Sequence, residues 1–245
     1  MTKSMKLRGL TVAALAAASL FAAQPAAADT ITIKGYWAGA GSDTISFSGI
    51  DWHTGLAATV ASELVGAGGF RTVNETTGGA AFQSFCVDIF HNFNFPVSSV
   101  DTLMPATIIS TQAATDLGRL FTNRGAEVDV ASGSSNAANE AAFQLAVWEI
   151  VNERTEGYNL ASGDFQAAGA DVSLAQTWLS ELTNTPSVSQ YIAKIWDVQS
   201  GQVGKSGPQD VVVFTPVPEP QTYAMMLVGL GLLGFSARRK NQNLG

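Results

Sequence analysis

One cysteine, two histidines and thirteen basic residues are all that this 245-residue chain offers of the side chains on which much protein chemistry depends. A single cysteine excludes an internal disulfide, and one cysteine with two histidines has no zinc-site spacing. No Gly-x-Ser-x-Gly elbow occurs, so a serine hydrolase of that architecture is excluded. Gly204-Lys205-Ser206 ends like a phosphate loop, but Gln199 stands where the leading glycine is required. Gly229-Leu230-Gly231-Leu232-Leu233-Gly234 fits a dinucleotide fingerprint by its letters, yet it lies in an apolar run with no βαβ unit around it. No cofactor or metal is therefore expected. Charged residues make up only 13% of the chain and no internal repeat is visible.

The two ends hold six of the thirteen basic residues. Lys3, Lys6 and Arg8 precede an apolar run from Leu10 to Ala23, and Ala26-Ala27-Ala28 supplies the small residues of a signal-peptidase site. Residues 1–28 thus read as a secretory leader, with the mature chain starting at Asp29. At the other end, Val217-Pro218-Glu219-Pro220 is followed by an uncharged apolar stretch from Tyr223 to Ala237 and then by Arg238-Arg239-Lys240. The basic cluster resists crossing a bilayer and should stay cytoplasmic. Fifteen apolar residues fall short of the ~17–25 of a stable span, which suits a transient hold better than a permanent anchor.

This tail, residues 216–245, resembles the PEP-CTERM signal of Gram-negative bacteria. The resemblance rests on Pro218, Glu219 and Pro220, the apolar helix, and the Arg238/Arg239 cluster, in the family's order and spacing. It implies cleavage by an exosortase, release from the inner membrane, and a destination at the cell surface or in an exopolysaccharide matrix. With both ends removed, seven basic residues face twenty acidic ones, all between Asp29 and Glu219, so the body carries about −13. Nucleic acid is an unsuitable partner for such a surface. A polyanionic polymer would bind only through local contacts or a divalent ion.

The remaining body, residues 29–215, is rich in Gly, Ala, Ser and Thr. Its pattern predicts an α+β fold: a sandwich or barrel-like sheet region with an inserted helical lobe, ahead of the apolar sorting helix. Alternation predicts strands over Thr30–Trp37 and Thr44–Ile50, paired through the Gly39-Ala40-Gly41-Ser42 turn. Ala58–Val65 fits a strand or a helical turn, and Phe82–Phe90 reads as a strand. Pro105 should start a helix reaching Phe121, followed by a polar loop over Asn123–Asn136. Further helices are expected at Ala138–Glu153 and Asp171–Leu182, and strands near Tyr191–Val198 and Asp210–Phe214.

Chemistry, if present, centres on Cys86. A free thiol in an exported chain needs an explanation, and the plain one is a buried core residue. Alternation places Phe85, Val87 and Ile89 on one face of the expected strand and Ser84, Cys86 and Asp88 on the other. Helical spacing puts Gln144 on a buried stripe with Ala141, Val147, Trp148 and Val151, while Glu149, Asn152 and Glu153 gather on the opposite side. A buried carboxamide left without partners costs about 1–3 kcal/mol, so Gln144 should have a specific one.

Phe85-Cys86-Val87-Asp88 on a strand, and Phe143-Gln144-Leu145-Ala146-Val147-Trp148 on a later helix, together resemble the paired signature of thioester domains in bacterial surface adhesins. The resemblance covers about residues 79–153, and Phe143 stands where the family's motif usually carries a polar or small residue. It implies that the Cys86 sulfur attacks the Gln144 side-chain carbonyl, ammonia leaves, and the resulting internal thioester awaits an amine of a surface partner. Under it, Trp148 and Phe85 would shield the bond, Asp88 would orient a donor or take a proton, and His91 would assist as a base, although alternation sets His91 on the face opposite Cys86. Two other readings stay open: a non-reactive matrix-structural or carbohydrate-binding module, and a Cys86-dependent hydrolase.

Overall fold

A computed structural model describes residues 27–52, 55–130, 133–153, 157–184, 188–198, 207–218 and 225–233. The leader through residue 26, together with Gln199, Gly204, Lys205, Ser206, Glu219, Pro220, Tyr223, Gly234, Ala237, Arg238, Arg239 and Lys240, lies outside them.

Among the described residues, nine strands and the helices between them make an α+β architecture. The strands are β1 (Ala28–Tyr36), β2 (Gly41–Ile50), β3 (Ala57–Ala67), β4 (Phe70–Asn74), β5 (Phe82–Cys86), β6 (Val97–Pro105), β7 (Phe165–Ala168), β8 (Tyr191–Val198) and β9 (Val211–Pro216). The helices are α1 (Thr111–Val128), α2 (Ala137–Asn152), α3 (Val172–Asn184) and a C-terminal helix α4 over 225–233. Six strands close into an antiparallel barrel in the order β1-β4-β5-β9-β8-β6, which leaves that sheet without an open edge. The other three form a separate sheet, β3-β2-β7.

The topology follows from two insertions. Strands β1 and β4 are barrel neighbours, and β2–β3 is inserted between them; β6 and β8 are neighbours too, and α1, α2, β7 and α3 are inserted between those. The insertions meet where β7 pairs with β2 through Thr44–Phe47. The expected β1–β2 hairpin is therefore not formed: β1 pairs with β4 and β6, while β2 pairs with β3. The turn joining β1 to β2 instead carries the chain from one sheet to the other across the start of α2. Gly39 has φ 111° and a Cβ there would lie 3.1 Å from Ala137 Cβ; at Gly41 it would lie 2.6 Å from Ala141 Cβ. Small residues are needed on both sides of this crossing.

Helix α2 is the hub. It packs on β2, β3, β5 and β7 and on both neighbouring helices, and every residue from Glu140 to Asn152 is buried. A helix apolar on nearly all sides belongs inside a protein. Glu149 and Asn152 are accordingly not on a solvent face, as the stripe pattern predicts, but are fully enclosed with local partners: Asn159 N donates to Glu149 Oε1 at 2.6 Å, and Asn152 Nδ2 donates to the Trp148 carbonyl at 2.9 Å. The side chain of Asn136 caps the helix by accepting from Asn139 N.

Other boundaries shift for local reasons. Residues Ala106–Ile108 form only a 3-10 turn, and α1 begins after Ser110, whose side chain accepts from Ala113 N. The helix then runs through Val128, well into the expected polar loop, because Val128 is buried and Arg124 pairs with Glu127 and Glu181. Ala57–Ala67 is a strand, and β4, β6 and β7 complete the sheets where no strand is evident in the sequence.

Candidate functional site

Strand β5 stops at Cys86 rather than continuing to Phe90, and the cause lies in the next two residues. Val87 N still donates to the Asp210 carbonyl, but Asp88 Oδ1 then accepts from Phe90 N at 2.9 Å, a side-chain turn that bends the chain away. On one side of Cys86 runs β9, registered Cys86↔Val211; on the other side, β4 pairs with β5 only as far as Phe70↔Ser84. The Cys86 peptide thus lacks a strand neighbour, and Gln144 supplies one. Cys86 N donates to Gln144 Oε1 at 2.8 Å, and Gln144 Nε2 donates to the Cys86 carbonyl at 2.7 Å. Two residues 58 apart in sequence are thereby joined through a ring of two hydrogen bonds, each residue 1% exposed.

The thiol is enclosed with them. Cys86 Sγ donates to the Asp88 carbonyl at 3.0 Å. Burial drives the thiol pKa well above its usual value, and the nearby Asp88 carboxylate adds to this; the Trp148 indole and a backbone hydrogen bond of Asp88 oppose it in part, while Asp210 raises it further. The thiol is protonated at neutral pH. Trp148, one turn beyond Gln144, is 4% exposed and its Nε1 has no nitrogen or oxygen partner among the described residues, so its N–H remains for the sulfur it adjoins. Phe85 packs against Phe143 in a tilted arrangement with ring centroids 4.5 Å apart.

Asp88 and His91 form a second, adjoining unit. His91 Nδ1 lies 2.5 Å from Asp88 Oδ2, and both side chains are largely buried. The strand alternation that would set His91 on the far face does not apply, because the strand has ended and the turn folds the ring back onto Asp88. The hydrogen bond to Asp88 raises the His91 pKa above its ordinary value, against the opposing effect of burial. Asp88 is itself buried, at 6% exposed.

A cleft of about 250 Å³ leads in toward this group. Tyr36, Phe70, Phe93 and Phe95 wall it, Glu63 of β3 and Asn92 of the β5–β6 connection stand beside one another, and Trp148 and Ile89 belong to its lining. The four rings touch one another at centroid separations from 5.0 to 5.8 Å. Sequence reasoning misses this cleft entirely; the dense aromatic spacing of Phe90, Phe93 and Phe95 is the signal that could have found it. A larger cavity of about 560 Å³ lies beside Ser110, Asp116, Ile150 and Tyr158. Asp116 there accepts from Gln112, Arg119 and Tyr158, so its carboxylate is already engaged.

At the end of β9, Pro218 is exposed, which leaves the start of the Pro-Glu-Pro segment accessible outside the barrel. Helix α4 presents Met225, Leu227, Leu232 and Leu233 with more than 60% of each exposed. Among the described residues no helix is long and apolar enough to cross a membrane.

Comparison with known proteins bears on the tail and the fold. Residues 216–240 match the PEP-CTERM protein-sorting motif, so the chain carries the signal for exosortase-dependent export to the cell surface. No curated protein matches the chain. Among solved structures, it resembles the N-terminal domain of the Streptococcus pyogenes pilus tip adhesin Cpa at a TM-score of 0.39 and 11% identity, covering 76% of this chain and 99% of that one.

Proposed function

We propose that this protein is a surface or extracellular-matrix component of a Gram-negative cell that attaches covalently to its partner through a thioester between Cys86 and Gln144. The observation that carries the reading is the two-bond ring between the Gln144 carboxamide and the Cys86 backbone. A thiol and an amide do not condense in water, but fixing them in contact supplies an effective molarity of roughly 10⁵ M or more.

The chemistry follows from the partners of each atom. The Cys86 N–H on Gln144 Oε1 polarises the carbonyl and stabilises the negative charge that gathers on that oxygen as sulfur attacks. The Sγ–Cδ bond forms, the Cδ–Nε2 bond breaks, and the thiol proton ends on the departing nitrogen, which leaves as ammonia. Because the thiol is protonated in its buried site, that proton needs a carrier. Asp88, whose carbonyl accepts the Sγ–H and whose carboxylate holds His91, is the nearest candidate, with His91 as its proton reserve. Trp148 and the surrounding core keep water from the finished bond. A lysine amine of a surface partner would later displace the sulfur, leaving an amide on Gln144 and restoring the thiol; the event is single-use acyl transfer without turnover.

The bare apolar side chains of α4 favour a temporary lipid environment before exosortase processing. A second reading has its own support. Gln144 is fully satisfied by the Cys86 backbone, as a packing residue in a non-reactive matrix or carbohydrate-binding module would be. A thiol hydrolase is disfavoured, since turnover needs an accessible thiolate and Cys86 is 1% exposed with its pKa raised. Methylamine treatment separates the readings. The thioester predicts one methylamide, located on Gln144 by peptide mass spectrometry, with release of one titratable thiol; unmodified Gln144 and a thiol present from the outset would support the non-reactive module.

A further inference from the structure

We infer that Glu63 and the aromatic cleft beside it select the nucleophile, docking a single extended side chain that carries a protonated primary amine. The inference rests on the thioester reading above and concerns how an acceptor is chosen.

Size comes first. At about 250 Å³ the cleft is smaller than the ~300–1,000 Å³ of sites that enclose small-molecule ligands, so it suits one inserted side chain better than a whole sugar or peptide segment. Its chemistry narrows the choice. The walls are Tyr36, Phe70, Phe93 and Phe95, whose ring faces attract cations, and Glu63 is the one charged residue among the described residues lining the cleft. The Tyr36 hydroxyl is turned away from any ligand, since it donates to the Gly66 carbonyl at 2.9 Å. Asn92 Nδ2 donates to Glu63 Oε1 at 3.1 Å, which orients the carboxylate and leaves its second oxygen for a ligand. An anionic side chain would meet Glu63 unfavourably, and a neutral hydroxyl would offer it a hydrogen bond without the opposite charge. A lysine-like chain can lay its methylene stem along the rings and set its ammonium at Glu63.

The cleft stops at Trp148; Cys86 and Gln144 are not among its lining residues. Transfer therefore requires the indole to swing aside once the acceptor is docked. The docked ammonium gives one proton to the Glu63 carboxylate, and the free amine nitrogen attacks the Gln144 acyl carbon. The N–C bond forms, the C–S bond breaks, the second amine proton passes to the Cys86 sulfur, and Glu63 releases its proton to solvent.

The test uses the mature protein with its mass deficit first recorded, and two nucleophiles: Nα-acetyl-lysine methylamide, which is cationic, and hydroxylamine, which is uncharged. Glu63 is half-buried on a strand, so Glu63→Gln should fold and keep the deficit of one ammonia. We expect its labelling by the lysine derivative to slow about fivefold, the worth of one partly exposed ion pair, while hydroxylamine labelling stays unchanged. Glu63→Lys should slow the lysine reaction further and again spare hydroxylamine. Equal rates for wild type and Glu63→Gln, or an equal loss with both nucleophiles, would overturn the inference while leaving the thioester standing. A Glu63→Gln protein that lacks the deficit would overturn it too, by assigning Glu63 to bond formation. Wild-type protein of full mass would overturn both the inference and the reading beneath it.

Discussion

At the scale of single residues, the site turns on one substitution of partners: a glutamine side chain stands in for a strand. The Cys86 peptide has no β4 residue opposite it, and the Gln144 carboxamide satisfies both of its polar groups. This predicts an unequal pair of mutants. Gln144→Ala leaves a buried N–H and a buried carbonyl unpaired, at about 1–3 kcal/mol each, whereas Cys86→Ala removes only a thiol and a weak hydrogen bond, about 1 kcal/mol. Urea unfolding should thus place the Gln144→Ala midpoint below that of Cys86→Ala. The reverse order would mean that the glutamine does not complete the sheet. The need for a specific partner at Gln144 was legible in the sequence, because an amide on an otherwise apolar stripe is costly alone. The placement of His91 was not: it depends on Asp88 turning the chain just after Cys86, and period-two alternation carries no mark of where a strand ends.

At the scale of elements, α2 carries both Gln144, the proposed acyl donor, and Trp148, its proposed shield. The existence of this helix was readable from its composition, and its bounds differ from the expected ones by one residue at each end. Its surroundings were not readable, because a helix covered on all sides looks amphipathic when a few polar residues happen to cluster. Glu149 is the instructive case: burial lifts its carboxyl to about 8, from an ordinary 4.5. A folded-state pKa above the unfolded one stabilises the fold fully below pH about 4.5 and loses that contribution as pH rises through about 8. His91, raised by Asp88, acts in the same direction above about 6.5. Thermal unfolding should therefore occur at higher temperature at pH 5.5 than at pH 8.5, and Glu149→Gln should flatten the dependence; a wild-type protein more stable at pH 8.5 would refute the assignment. Trp148→Ala tests the shield, since loss of a buried indole should cost about 3–5 kcal/mol and admit water to the acyl bond. Spontaneous thiol release, followed with a thiol reagent, should be faster in that variant than in wild type. Equal rates would show that another group excludes water. The β1–β2 pairing failed as an expectation because β1 is claimed by the more distant β4 and β6, while β2 pairs forward with β3 and with the distant β7.

At the scale of the whole molecule, two insertions into a closed barrel meet to build the second sheet and hold α2 against the end of β5. That arrangement brings together two short motifs that are each uninformative alone, and it lies beyond reach of periodicity because it depends on which distant strands close the barrel. The sorting tail needed no such folding to be recognised: its order of proline motif, apolar run and basic cluster is written directly in the chain, and residues 216–240 match the sorting motif. The tail carries the signal that delivers the body to the surface, and the proposed thioester would secure it there. Intact mass of the mature protein tests this account most directly. It predicts a value lower than the sequence mass by one ammonia, a deficit that disappears in both Cys86→Ala and Gln144→Ala; a wild-type protein at full sequence mass would contradict it.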